Sequence, residues 1–416
     1  MEILLVRKLF FRFADISLNE GVACRCAVGK RFGGSRILSQ IRIHIAQKNC
    51  PILAYRLNLP AKHRHFAFFV LYLYLNAAAH NDCRPSKGRD RMEFLTNEFT
   101  FPSASGLCDI FAQSAAPADF GAVKGVVQIA HGMAEYSNRY AQFALELCKH
   151  GYAVYINDHL GHGQSVASDE AFGFFGDNGA NSMVEDMKQL SDIARQEYPN
   201  LPFFLFGHSM GSFLARKYSA KYGHILDGAV YCGTSGANSA VGMGVLLADT
   251  VIKSEGQMYR SKFLDSVAFG SYNRKTAKST AFDWLSRDEK EVEKYVHDKH
   301  CGFLFTANGF KTLFSLLKEV SAKVWYNTVP AELPILLISG DKDPVGEYGK
   351  GVTEVYKTLR KTGHTGVMMK LYPEARHELL NELNRREVTE DVIRWLDAHL
   401  PEPEPIPAPV AAGEGS

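Results

Sequence analysis

Three residues that could carry out acyl transfer together, a serine, an aspartate and a histidine, occur in this chain order on three separate loops. The stretch Pro202 to Phe213 reads PFFLFGHSMGSF, so four apolar residues run into Gly207-His208-Ser209-Met210-Gly211. Helical spacing follows, with Phe213, Leu214, Ala215 and Tyr218. That is the order of a nucleophile elbow: a buried strand, a sharp turn and a helix, with the serine at the tip. Such a turn forces unusual dihedrals on the serine, and Gly207 and Gly211 remove bulk where strand and helix crowd together. A helix that starts just after Ser209 aims free N–H groups and the positive end of its dipole at any oxyanion formed there.

A serine hydroxyl attacks only once a base takes its proton, and the base needs an acid to orient it. Two downstream loops qualify. One is Gly340-Asp341-Lys342-Asp343-Pro344-Val345, after an apolar strand ending at Ser339. The other is Pro373-Glu374-Ala375-Arg376-His377-Glu378, after a strand ending at Tyr372. His377 is the histidine directly after the last strand. Asp343 is the preferred acid, because Pro344 fixes the turn beyond it and it lies further from the strand end; Asp341 is the alternative. The backbone amides of Met133 and Met210 are expected to form the oxyanion hole, with His131 shaping the first loop and His208 bracing the elbow away from the serine. Asp158, His159 and His162 look like metal ligands, yet no third acid or cysteine cluster accompanies them, and they read as loop-bracing hydrogen bonders. There is no H-E-x-x-H, Walker lysine loop or G-x-G-x-x-G after a strand, so no metal, cofactor or nucleic-acid partner is expected.

The elements that must position these groups follow from the pattern. Phe94–Phe101 and 107–114 alternate as an antiparallel hairpin, and strands at 125–130, 152–157, 203–206, 229–232, 334–339 and 367–372 alternate with helices. Such alternation needs a mostly parallel sheet covered on both faces, an α/β architecture. The rhythm breaks over 233–329, where helices are expected at 242–252, 280–285, 288–296 and 309–320, and this insertion reads as a helical cap. The expected organisation is core 92–232, cap 233–329, core 330–400 and a disordered tail 401–416. Val241, Met243, Val245, Leu246, Leu247, Val251 and Ile252 at the start of the cap either contact an acyl chain or seal the cap to the core.

The composition, 46% hydrophobic and 22% charged, is globular, but charge is unevenly placed along the 416 residues. Residues 1–91 carry 16 Lys and Arg against 5 Asp and Glu, while the rest carries 31 against 40. This basic segment is expected to lie outside the catalytic fold. Phe66 to Ala79 resembles a signal-peptide core, but it begins too late in the chain and is too short to span a bilayer. The preferred reading is an upstream extension, Met92 being a natural start; a membrane-associating segment or an accessory subdomain are the alternatives. Scattered cysteines at 108, 148, 232 and 301 fit a reducing, cytoplasmic compartment.

Five motifs in order, HGMAEYSNRY (131–140), NDHLGHGQS (157–165), GHSMGS (207–212), SGDKDP (339–344) and YPEARHE (372–378), resemble the monoacylglycerol lipase and lysophospholipase branch of the α/β-hydrolases. That branch is grouped under the serine aminopeptidase S33 domain. The similarity runs from about Met92 to Leu400, and the cap stretches FGSYN (269–273) and DWLSRDEKEVEKYVHD (283–298) look like bacterial members. The resemblance implies a serine hydrolase acting on a small ester or single-chain lipid, with Ser209, Asp343 and His377 as nucleophile, acid and base, and with membrane-surface contact through the cap. An S33-type aminopeptidase and a non-catalytic binding protein are the rival readings. Two departures stand out. Ala134 occupies a position where the family often has a second glycine, which tightens the oxyanion loop. Gly346 replaces a cysteine that animal members carry three residues after the acid, so the site for the leaving alcohol differs.

Overall fold

In a computed structural model, the short apolar runs at Gly125–Ala130 (β3), Tyr152–Asn157 (β4), Phe203–His208 (β5), Gly228–Cys232 (β6) and Ile335–Gly340 (β7) are strands buried along their whole length. Strands covered on both faces have no polar side to show in the sequence, which is why these read as runs and not as alternations. The structure describes residues 94–401 apart from 238, 239 and 278, together with the backbone of three strands nearer the N-terminus. A hairpin of Phe94–Pro102 (β1) and Asp109–Pro117 (β2) and a final strand Val367–Tyr372 (β8) complete one sheet, in the order β8-β7-β6-β5-β3-β4-β2-β1. From β3 to β8 neighbours pair in parallel; β2 pairs antiparallel with both β1 and β4.

Helices Ala141–Lys149 (α1), Gly179–Glu197 (α2) and Met210–Tyr222 (α3) follow β3, β4 and β5. Two apolar layers result. One packs α2, α3 and the cap against the sheet through Met183, Met187, Leu190 and Leu214. The other packs α1 and the last helix against the opposite face, through Phe143, Leu147, Val392 and Trp395.

The cap holds Val241–Glu255 (α4), Lys262–Phe269 (α5), Glu289–His297 (α6), Ala307–Val320 (α7) and Lys323–Thr328 (α8). Lys350–Lys361 (α9) and Arg385–Asp397 (α10) belong to the core. The helix expected at 280–285 is instead a turn. The Asp283 carboxylate accepts the backbone N–H groups of Ser279 (2.8 Å) and Thr280 (2.9 Å), and Asn273 Oδ1 accepts that of Trp284 (2.9 Å). Side-chain acceptors thus take the donors that a helix would use. Helix α5 went unanticipated although Ser261 caps it, its hydroxyl accepting from Leu264 N–H at 3.2 Å.

The chain divides into two units, 1–90 and 91–416. In the first, Val22–Val28, Ser39–Gln47 and Leu53–Leu59 pair antiparallel into a sheet with the second in the middle. The alternation Ile41-Arg42-Ile43-His44-Ile45 was the legible signal for it. The apolar segment 66–79 and the tail 402–416 lie outside the described residues.

Candidate active site

Ser209 sits between β5 and α3 with φ 53° and ψ −122°, the left-handed side that costs a non-glycine residue about 1–3 kcal/mol. Its neighbours explain why the turn closes. A Cβ on Gly207 would lie 2.4 Å from Gly211 O, and one on Gly211 would lie 2.1 Å from Ala130 O. Either contact would push helix and strand apart, so both positions admit only glycine. The elbow is tied to the next strand by Ser209 N–H donating to Cys232 O (3.0 Å).

Asp343 and His377 meet because β7 and β8 are parallel neighbours whose C-terminal loops zip together. Lys342 N–H donates to Ala375 O (3.0 Å) and Asp341 N–H to Tyr372 O (3.1 Å). His377 Nδ1 lies 3.0 Å from Asp343 Oδ2, both groups being buried. The carboxylate also accepts from Ser339 Oγ (3.1 Å) and from Val345 N–H (2.8 Å), which fixes its orientation. With Nδ1–H donating to the acid, the lone pair stays on Nε2, the tautomer a general base needs. That Nε2 is buried and has no hydrogen-bond partner among the described residues. His377 and Ser209 line the same cavity, but the hydrogen bond between them is not closed.

Asp341 lies elsewhere. It is partly exposed, accepts Glu374 N–H (2.7 Å) and lies 3.3 Å from Lys342 Nζ, so it staples the two loops outside the site.

On the other side of the serine, Gly132 comes so close that a Cβ there would sit 3.2 Å from Ser209 Cβ. Neither the Met133 nor the Met210 amide donates to a protein acceptor among the described residues, and both residues line the cavity. Two such free N–H groups beside a serine hydroxyl can receive an oxyanion. His131 holds the loop from behind: its Nε2 accepts His159 N–H (2.8 Å), so its Nδ1–H donates to Gly132 O (2.8 Å). Burial keeps this imidazole, His159 and His162 neutral, His162 being pushed down to about 3. Asp158 accepts Ser137 N–H (2.8 Å) and Gln164 N–H (2.7 Å), the bracing role its loop position suggested.

A charged network not read from the sequence lies under this loop. Glu135 accepts Gly132 N–H (2.5 Å), Tyr140 Oη–H (2.8 Å) and Arg139 (2.9 Å), and it faces His208 Nδ1 at 3.2 Å. Arg139 also forks onto Glu378, the residue after His377, at 2.5 and 2.7 Å. Burial opposes ionisation of Glu135, but the His208 hydrogen bond and the Arg139 charge outweigh it and hold the carboxyl far below its usual range. Burial likewise opposes a charged His208, and the Glu135 hydrogen bond and charge overcome it and raise its pKa. His208 Nε2 also lies 3.4 Å from His377 O. The network therefore links the loop from Gly132 to Glu135, the elbow and the loop that carries His377. The signal available in the sequence was Glu135 four residues before Arg139, the spacing of a helical ion pair.

A cavity of about 980 Å³ opens above Ser209. Phe213, Val241, Leu313, Phe314 and Leu317 supply apolar lining, and Ser271, Asn273, Glu347 and Lys350 polar lining. Of the seven apolar residues singled out at the start of the cap, Val241 alone lines it. Val245, Leu247, Val251 and Ile252 pack against the core, and Met243 and Leu246 are 59% and 60% exposed. The reason is the helical period: α4 turns its Val241 and Gly244 edge to the cavity and spreads the others around its circumference. Gly346 has no room for a side chain, since a Cβ would lie 2.9 Å from Val352 Cγ2 and 3.3 Å from Thr234 O.

The chain has counterparts among known proteins. The model of the family described as serine aminopeptidase, S33, matches residues 121–384. A monoacylglycerol lipase of Mycolicibacterium smegmatis is 29% identical over 279 residues, 67% of this chain and 89% of its own. The human monoglyceride lipase is 29% identical over 284 residues, covering 67% of this chain and 82% of its own. The crystal structure of a thermostable carboxyl esterase from Bacillus coagulans, in complex with glycerol, superposes with a TM-score of 0.70 at 33% identity. It covers 74% of this chain and 99% of that one.

Proposed function

Because this chain belongs to the serine aminopeptidase S33 family of α/β-hydrolases, we propose that it cleaves carboxylic esters through a Ser209 acyl-enzyme, acting on single-chain lipids such as monoacylglycerols or lysophospholipids. Ser209 Oγ attacks the ester carbonyl while His377 Nε2 takes its proton, and Asp343 steadies the imidazolium. The Met133 and Met210 amides receive the oxyanion. His377 returns the proton to the leaving alcohol, and water then releases the acyl group by the same steps. The observation that carries this reading is the buried His377–Asp343 pair, whose histidine lines the same cavity as the strained serine. The cavity volume, about 980 Å³, is near the upper end of the range for ligand sites and suits one acyl chain with a small headgroup.

A peptidase needs a free carboxylate to hold a substrate ammonium. Glu135 and Glu378 are taken by Arg139, and the cap acids Asp288 and Glu291 pair with Arg385 (2.9 Å) and Lys294 (2.8 Å). Beside the serine these pairings favour the esterase reading; Asp265 and Glu347 line the wider cavity without an ion pair among the described residues, and the amide arm of the panel below tests them. The test is a panel of p-nitrophenyl esters, monoacylglycerols, lysophospholipids and aminoacyl amides. With esters, each added acyl CH₂ is expected to raise kcat/KM by up to about fourfold until the apolar lining is filled. Faster turnover of aminoacyl amides than of any ester would reverse the assignment.

The cap also supports contact with a lipid surface. Met243 and Leu246 on α4 and Phe263 and Val267 on α5 are 47–60% exposed, and Val267 also lines the cavity. Among the described residues no helix is long and apolar enough to cross a membrane, so this contact would be peripheral. Replacing Met243, Leu246 and Phe263 by serine is expected to lower activity on vesicle-borne monoacylglycerol at least fivefold (about 1 kcal/mol) and leave p-nitrophenyl acetate turnover unchanged. Equal loss on both substrates would count against a surface role. The unpaired Cys108, Cys148, Cys232 and Cys301 support a cytoplasmic location.

A further inference from the structure

The loop Gly132 to Glu135 is held from two sides by different parts of the fold. From within, Glu135 reaches back to Gly132 N–H (2.5 Å). From the cap, two donors converge on the Ala134 carbonyl: Tyr295 Oη–H of α6 at 3.0 Å and Gly302 N–H at 2.9 Å. Ala134 is buried and has φ 49°, and this left-handed turn is what carries its carbonyl to the cap. An alanine in that region is strained and persists only where its surroundings over-determine it. Take the cap donors away and a buried carbonyl loses its partners while the strain remains.

The clamp is itself rigid. The Arg139 guanidinium lies 4.9 Å from the centre of the Tyr295 ring, and the Phe282 ring packs against it with centroids 5.0 Å apart. Gly302 has φ 65°, and a Cβ there would lie 3.1 Å from Phe282 and 3.2 Å from Tyr295. Burial raises the pKa of Tyr295 well above that of free tyrosine, so its hydroxyl keeps the proton it donates.

We propose that Tyr295 is a positioning residue: the docked cap, through Tyr295 and Gly302 on the Ala134 carbonyl, sets the backbone that presents the Met133 amide, so the oxyanion hole is complete only with the cap in place. This rests on the reading of Ser209 as nucleophile and Met133 as oxyanion donor. A glycine at 134 would adopt the turn unaided, so the cap bond matters most with the alanine this chain has.

The test compares Y295F, A134G, the double variant and S209A in the full chain. The readouts are kinetics with a short soluble p-nitrophenyl ester and affinity for a trifluoromethyl ketone, which mimics the oxyanion once added to the serine. Y295F is expected to lower kcat and ketone affinity by the same factor, about tenfold (about 1.4 kcal/mol), with KM within twofold. In the A134G background the same change is expected to cost less than threefold. Wild-type kcat in Y295F, a loss confined to KM, or an equal loss in both backgrounds would overturn the proposal. If Y295F does not fold, the double variant read against A134G decides, a loss above threefold overturning it. Full activity in S209A would instead overturn the reading of the site, whereas S209A inactive with Y295F intact removes only the positioning role.

Discussion

Ser209→Ala is expected to lower kcat by roughly 10⁶-fold, with KM little changed and labelling by a fluorophosphonate abolished. The size follows from the geometry. In the proposed mechanism the hydroxyl forms the covalent bond, and the neighbouring His208 faces Glu135 and the His377 carbonyl, not the serine. What the variant keeps is the pair of amides and the cavity, which alone leave about 10³–10⁴-fold catalysis over water. Alanine at 209 inherits the positive φ, 53° in the wild type, so the melting temperature is expected to stay within a few degrees. A loss smaller than about 100-fold, with the label still attaching, would place the nucleophile elsewhere.

Asp343→Asn is expected to lower kcat by about 10⁴-fold, whereas Asp341→Asn stays within about twofold of wild type. The two residues are neighbours in sequence and differ wholly in environment. Asp343 is buried at 3.0 Å from His377 Nδ1, with Ser339 Oγ and Val345 N–H holding it in place. An asparagine amide pointing its NH₂ at Nδ1 favours the other tautomer, which puts the proton on Nε2 and leaves no lone pair for the serine. Asp341, by contrast, accepts Glu374 N–H at 2.7 Å at a partly exposed position. Asparagine can accept the same bond. Kinetics of the two variants, read beside their melting temperatures, check the pair; an Asp341 variant that loses more than the Asp343 variant would exchange their roles.

The legible parts of the fold were those with a short-range cause. The runs at 125–130 and 203–206 could be read as strands because Gln128 is the one polar residue in them, and α7 showed itself through apolar spacing from Phe310 to Val320. The turn at 280–285 could not be read that way. Asn273 and Asp283 decide it by capturing backbone donors, Asn273 from 11 residues away, and side-chain competition of that kind leaves no periodic trace. The apolar start of α4 left two readings open for a related reason. Its composition was plain, but which edge faces the cavity depends on how the helix is rolled against α7.

Chemistry with a strict local requirement is written in the sequence itself. A serine between Gly207 and Gly211, an aspartate past one strand end and a histidine past the next have few alternatives, because only glycine fits an approach of 2.1–2.4 Å and only strand ends present loops to one edge of a parallel sheet. Tertiary structure decided what depends on distance between segments far apart in the chain. It brought Glu378 to Arg139 across 239 residues and Tyr295 to Ala134 across 161. It also made the alanine at 134 tolerable, since a backbone strain can be judged only beside the partners that hold it.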